Sequence, residues 1–167
     1  MMERMSKGFT LLELAVVVLT IGILAMIIAP RFANAHSSSK ITAAAEDIKK
    51  ITETIEYFKA SNGFWPLDTK VGVIPPEVKH TLKNDKLFTT PTPIGGIYDY
   101  ENNKNYKTVN LRIRGTNATP PPTLVDAQLL DEYLDDGVLN TGKFRTHATG
   151  GYIYYFDKQK NTKRPAP

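Results

Sequence analysis

Glu13 is the residue whose position most needs a chemical reason. It is the only charge in the run FTLLELAVVVLTIGILAMIIA, residues 9–29. A carboxylate at depth in a bilayer costs roughly 2.5–3.5 kcal/mol on insertion scales, so it needs a partner or a task. A second group of carboxylates stands at Asp131, Glu132, Asp135 and Asp136, followed by Gly137, Asn140 and Gly142. Calcium takes several oxygen ligands around a tight turn, and this passage offers them. A helix end followed by a turn accounts for the same residues. The rest of the chain offers little reactive chemistry. His36, His80 and His147 lie far apart with no ligand spacing near them. The lack of cysteine removes disulfides, thiolate metal sites and cysteine nucleophiles together. No serine occupies a nucleophile elbow, and no glycine-rich phosphate loop is present; Gly95-Gly96 and Gly150-Gly151 read as turns. No enzyme activity, catalytic residue or assigned metal ligand is expected, and calcium is the one cofactor the residues leave open.

The element that must position Glu13 is a helix. The 21 residues 9–29 rise ~1.5 Å each, which gives about 31 Å, enough for a bilayer's hydrocarbon core. Ahead of them stands MMERMSKG, with Arg4 and Lys7. Positive flanks stay cytoplasmic, so the chain beyond Pro30 is expected outside. An ordinary secretory signal would have a shorter apolar region and a small-residue cleavage site, for which Ala33-Asn34-Ala35 qualifies. That reading fails on length. A plain membrane anchor explains the length. Neither explains Glu13.

Lys7-Gly8-Phe9-Thr10-Leu11-Leu12-Glu13 resembles the processing signature of type IV prepilins: a basic leader, a glycine, a phenylalanine and a glutamate four residues after it. The resemblance implies cutting between Gly8 and Phe9 by a prepilin peptidase on the cytoplasmic side. It also implies N-methylation of Phe9 and retention of the apolar helix. The new Phe9 ammonium and the Glu13 carboxylate of a neighbouring subunit then neutralise each other during assembly. Stranding either charge would be costly, so Glu13 acts as a register device. Pro30 resembles the helix-breaking proline of many pilins; with Gly22 it is expected to kink the helix.

Past Pro30, a polar passage gives way to a second helical signal. Ile41, Ile48 and Ile55 stand seven apart, with Ala44, Ile51 and Phe58 three residues behind each. This is one apolar stripe over about residues 40–60, with charges on the other face. We expect Ile41, Ile48, Ile51, Ile55 and Phe58 to pack on the chain's own sheet rather than in a coiled-coil seam. Asn62-Gly63 should close the helix. The passage Tyr57-Phe58-Lys59-Ala60-Ser61-Asn62-Gly63-Phe64-Trp65-Pro66 is similar to the one closing the long helix in major pseudopilins of type II secretion. Those proteins are known for a calcium site in their C-terminal loops, but the Asp-Asp-Gly passage here does not align with that loop residue by residue.

Residues 64–157 read as a small α+β head divided by prolines and glycines. Strands are expected at 97–101, 106–114 and 152–157, with Asn102-Asn103-Lys104-Asn105 joining the first two. A short helix is expected over 126–134, capped near its start by Asp126 and closed by Gly137. The head's few apolar residues need the stripe of the long helix to complete a core.

The expected fold is therefore α+β: a long N-terminal α-helix, membrane-spanning in its first half, packed on a small antiparallel β-sheet head. The expected organisation is a leader at 1–8, a membrane and filament-core helix at 9–30, its amphipathic second half at 31–62, a head at 63–157 and a basic tail at 158–167. The tail's Lys158, Lys160, Lys163 and Arg164 read as a solvated terminus, and the net charge of +4 is mild. No nucleic-acid partner is expected. The function expected is a structural subunit of a type II secretion-like pseudopilus. A type IV pilin for adhesion, motility or DNA uptake is the alternative, and a membrane-anchored periplasmic binding or enzymatic domain is the rival of another class. Implied partners are other pilin or pseudopilin subunits, the prepilin peptidase, an inner-membrane assembly platform and the membrane. The implied location is the inner membrane, single-pass with the head in the periplasm, and then a periplasmic or surface filament.

Overall fold

The computed structural model describes residues 10–84, 86–103 and 108–157, and the side chains of all of these except 27–36 and 103. The chain divides into two compact units, Met1–Ser38 and Ser39–Pro167.

The first unit carries the start of helix α1, Leu11–Asn62, whose helical backbone passes through Gly22 and Pro30 without interruption. Its apolar side chains are exposed from Leu11 to Met26. Among the described residues no helix is long and apolar enough to cross a membrane. The apolar run of residues 9–29 reaches beyond them, because Phe9 and the side chains of 27–29 lie outside the described residues.

The second unit is built on the rest of α1. Ile41, Ala44, Ala45, Ile48, Ile51 and Ile55 are all buried and belong to one core with the strands. Spacings of three and four put them on one side of the helix. Phe58 is partly buried beside them and meets Phe64 edge-on at 5.6 Å. The helix stops at Asn62 because Gly63 takes φ 80°, and its N–H donates back to the Lys59 carbonyl at 2.9 Å. A left-handed residue at this position costs glycine least.

Four antiparallel strands follow in the order β1-β2-β4-β3: β1 Ile97–Asn103, β2 Thr108–Arg114, β3 Phe144–Thr146 and β4 Tyr152–Asp157. Strand alternation sends Tyr98 and Tyr100, Val109, Leu111 and Ile113, and Tyr152 and Phe156 to the core. The Tyr98 hydroxyl donates to the Ala44 carbonyl at 3.3 Å, joining sheet to helix. Strand β1 is two residues longer than expected and takes in Asn102 and Asn103 of the expected connection, while residues 104–107, including the first two of the second expected strand, lie outside the described residues.

Two short helices complete the head. Helix α2, Lys79–Leu82, buries Leu82, and α3, Leu124–Leu134, buries Ala127, Leu130 and Asp131. The cap of α3 corrects the expectation that Asp126 opens it. Thr123 is the N-cap: its hydroxyl accepts from Asp126 N at 3.1 Å and donates to the Asp126 carboxylate at 2.7 Å. Asp126 is therefore the third helical residue, with its N–H capped by the Thr123 hydroxyl. Nor does Gly137 close the helix. The helical backbone ends at Leu134, with Asp135 N–H bonded to the Asp131 carbonyl at 2.7 Å.

Candidate functional site

Two places in the chain gather groups with something to do. The first is the start of α1. Thr10 and Glu13 form a reciprocal cap: Glu13 Oε2 accepts from Thr10 N at 2.8 Å and from Thr10 Oγ1 at 2.9 Å, and Glu13 N–H donates to Thr10 Oγ1 at 3.2 Å. Two otherwise orphaned N–H groups of the helix end are satisfied this way. The carboxylate also sits where the helix dipole favours negative charge. Gly8 and Phe9, the expected processing and methylation residues, lie outside the described residues. Below the cap, Leu11, Leu14, Ala15, Val18 and Leu19 line an open apolar groove along the helix. Gly22 has nothing within 4 Å of where a Cβ would stand. An exposed helix apolar on all sides is built to be covered.

The second place is the turn after α3. The carboxylates of Asp131, Asp135 and Asp136 each offer an oxygen within 4.8 Å of the others. Asp135 and Asp136 are exposed and engaged in shaping the turn. Asp135 Oδ2 accepts from Lys143 N and, at 3.4 Å, from Phe144 N. Asp136 accepts from Thr141 Oγ1 at 2.7 Å and from Val138 N at 2.9 Å, bonds that hold its carboxyl below the usual carboxylate range. Gly142, at φ 66°, leaves the room that the Asp135 carboxylate fills. Asp131 differs. It is 0% exposed, and neither of its carboxylate oxygens has a hydrogen-bond partner. Burial, followed by the charges of Asp136, Asp135 and Glu132, pushes it up to about 6. A buried, unpartnered carboxylate beside two more is expensive unless protonated or bound to a cation. The donors are all hard oxygens around a glycine-containing turn, so they fit calcium.

A third cluster is structural. On the sheet face opposite α1, Arg112 pairs with Glu101 and donates to His147 Nδ1 at 2.9 Å and Thr149 Oγ1 at 3.0 Å, while Arg114 pairs with buried Asp99 at 3.1 Å. Each charge has an opposite neighbour, and the His147 ring and Thr149 hydroxyl are bonded within the same cluster.

Neither the Thr10 cap, nor the Thr123 cap, nor the buried state of Asp131 is part of the sequence reading. The first two were readable as Thr-x-x-Glu at 10–13 and Thr-x-x-Asp at 123–126. The third had no signal, because an acidic residue near a helix end ordinarily faces water.

The chain is similar to several proteins named type II secretion system core protein G. It is 33% identical to that of Pseudomonas aeruginosa over 109 residues, which cover 60% of this chain and 76% of the relative. The likeness to the Klebsiella michiganensis protein is 26% over 129 residues, covering 72% and 90%. To the Dickeya chrysanthemi protein it is 28% over 105 residues, covering 58% and 69%. No family model matches the chain, and no solved structure matches it significantly.

Proposed function

The chain belongs to the core protein G family of type II secretion pseudopilins, and from that premise we propose how this subunit is made and assembled. The protein is a structural subunit of a type II secretion-like pseudopilus, a membrane-associated periplasmic filament. The proposal adds its route. A prepilin peptidase cuts after Gly8, Phe9 becomes the methylated N-terminus, and the apolar helix anchors the subunit in the inner membrane with its head in the periplasm. An assembly platform then moves the subunit into the filament, where the exposed side chains of α1 are covered by those of neighbouring copies. Gly22 and Pro30 supply the local give that packing requires, and the role has no catalytic step.

The observation that supports this most directly is the position of Glu13. It stands on the N-terminal turn of α1, with its carboxylate bonded to the backbone N–H of Thr10, the residue next to Phe9. A carboxylate so placed is within a few bonds of the amine that cutting would create, and it can exchange an internal partner for the amine of a neighbour. Apolar packing of α1 supplies the stabilisation, and the charge pair fixes the register.

The experiment that tests the route is the intact mass and N-terminal residue of the protein isolated from its own cell membranes. A chain beginning at methylated Phe9 is expected. A chain beginning at His36 would mean secretory processing, and an uncut Met1 beside an active prepilin peptidase would leave only an anchor.

We also propose that the turn after α3 takes up calcium through the carboxylates of Asp131, Asp135 and Asp136. The unpartnered, buried carboxylate of Asp131 supports it. Bound there, the cation would neutralise the repulsion among the three groups and fasten the end of α3 to the segment leading into β3.

A further inference from the structure

Asn62-Gly63 is the one Asn-Gly pair in the sequence. Glycine leaves its own amide nitrogen unshielded and its backbone free to turn, so such a pair closes readily to a cyclic imide. Nothing lies within 4 Å of where a Cβ on Gly63 would stand. Asn62, the last residue of α1, and Gly63 after it are both exposed, so water reaches them.

Three bonds hold the pair against that closure. Asn62 Nδ2 donates to the Phe58 carbonyl at 2.9 Å. Gly63 N, the atom that must attack, donates to the Lys59 carbonyl at 2.9 Å. Lys59 Nζ donates to the Gly63 carbonyl at 2.7 Å and lies 5.9 Å over the Trp65 ring. The first two bonds occupy the leaving group and the nucleophile. Asn62 also keeps helical backbone, and a helical ψ of about −42° turns the next nitrogen away from the side-chain Cγ. Phe58 and Trp65, at the two ends of this closure, are packed on the core.

We propose that Asn62 is a self-acting deamidation site whose rate is set by opening of the end of α1. When the closure opens, Gly63 N–H gives up its proton and the nitrogen bonds to Asn62 Cγ. The Cγ–Nδ2 bond breaks, and ammonia leaves with that proton. Water then opens the imide at either carbonyl, leaving aspartate, or isoaspartate with the main chain running through Cβ. Nothing is oxidised or reduced, and water is the only co-reactant.

The products cannot restore the closure. A carboxylate at position 62 has no proton to donate to the Phe58 carbonyl. It also brings negative charge to the helix end where the dipole disfavours it. Isoaspartate adds one carbon to the main chain between α1 and Trp65. Each reaction therefore leaves a permanent mark at the joint of helix and head, and makes the next opening easier.

The test follows the full chain in detergent at mildly alkaline pH, folded and in urea. Trypsin releases residues 60–70, in which Asn62 is the only asparagine. Mass spectrometry of that peptide reads the exchange of NH2 for OH, and its chromatography separates isoaspartate from aspartate. The unfolded chain should convert faster by about tenfold or more, since the folded chain reacts only through its locally open fraction. Lys59→Met keeps an apolar stem beside Trp65 and removes the bond to the Gly63 carbonyl. Its folded chain, read in the peptide 51–70, should convert about threefold faster or more. Equal rates in the folded and unfolded chains would overturn the proposal. So would an unfolded chain that does not convert at Asn62, or an unchanged rate in Lys59→Met.

Discussion

Glu13 and Thr10 satisfy each other's hydrogen bonds at the first turn of α1, with the carboxylate accepting from both the backbone and the hydroxyl of Thr10. The one acid in the apolar run thus has an internal occupation before any second subunit arrives. Its capping and its charge are separable, because glutamine can fill the same place in a capping box.

Glu13→Gln should keep the cap and lose the charge, whereas Glu13→Ala loses both. Both variants are expected to insert normally and to form no filaments, scored by electron microscopy of sheared material. Filaments from Glu13→Gln would show that capping alone suffices and that no charge pairing sets the register.

Ile51 is fully buried where α1 meets the sheet. Ile51→Ala should destabilise the head by roughly 2–5 kcal/mol, read from chemical unfolding of the detergent-solubilised chain. Tyr98→Phe removes only the bond to the Ala44 carbonyl and should cost about 0.5–1.5 kcal/mol. Similar losses from the two would contradict the placement of Ile51 at the centre of this core.

His147 is held below its ordinary 6.5 by burial and then by the Arg112 guanidinium. Arg112 donates to Nδ1, so the ring is neutral and that nitrogen is the acceptor. Between the depressed value and 6.5 the unfolded chain binds the proton and the folded chain does not. Stability therefore rises with pH through that window and is lost on acidification. His147→Gln should flatten this part of the melting temperature against pH; an unchanged profile would place the acid sensitivity elsewhere, with the carboxylates.

Adding calcium after chelation should raise the melting temperature, by the equivalent of about 2.7 kcal/mol at a hundredfold excess over the dissociation constant. Asp131→Asn should remove the response while leaving the chain folded, since a neutral amide is easier to bury than an unpaired carboxylate. No calcium response in the unaltered chain would refute the site.

What could be read from the sequence depended on how far each signal extends. The stripe of Ile41, Ile48 and Ile55 repeats over four turns, and β4 is a dense aromatic run, so both elements stood out. Strand β3 is only Phe144–Thr146, too short for alternation to register, and its place at the sheet edge comes from pairing with β4. Helix α2 is four residues, less than a helical period needs. Asp and Thr both serve as N-caps, so the sequence alone offers Asp126 as readily as Thr123, and only the direction of the Thr123 bond distinguishes them. The isolation of Asp131 arises from what the turn of 135–143 brings around it.

The isoleucines of residues 41–55 have a mechanical consequence. They belong at once to the helix by which a subunit would be pulled and to the hydrophobic core of its head. Tension on α1 is then borne by shear between those side chains and Tyr98, Tyr100 and Leu111, not by the stretching of a flexible tether. Resistance to force and resistance to heat draw on the same residues, so a substitution that softens this layer lowers both together.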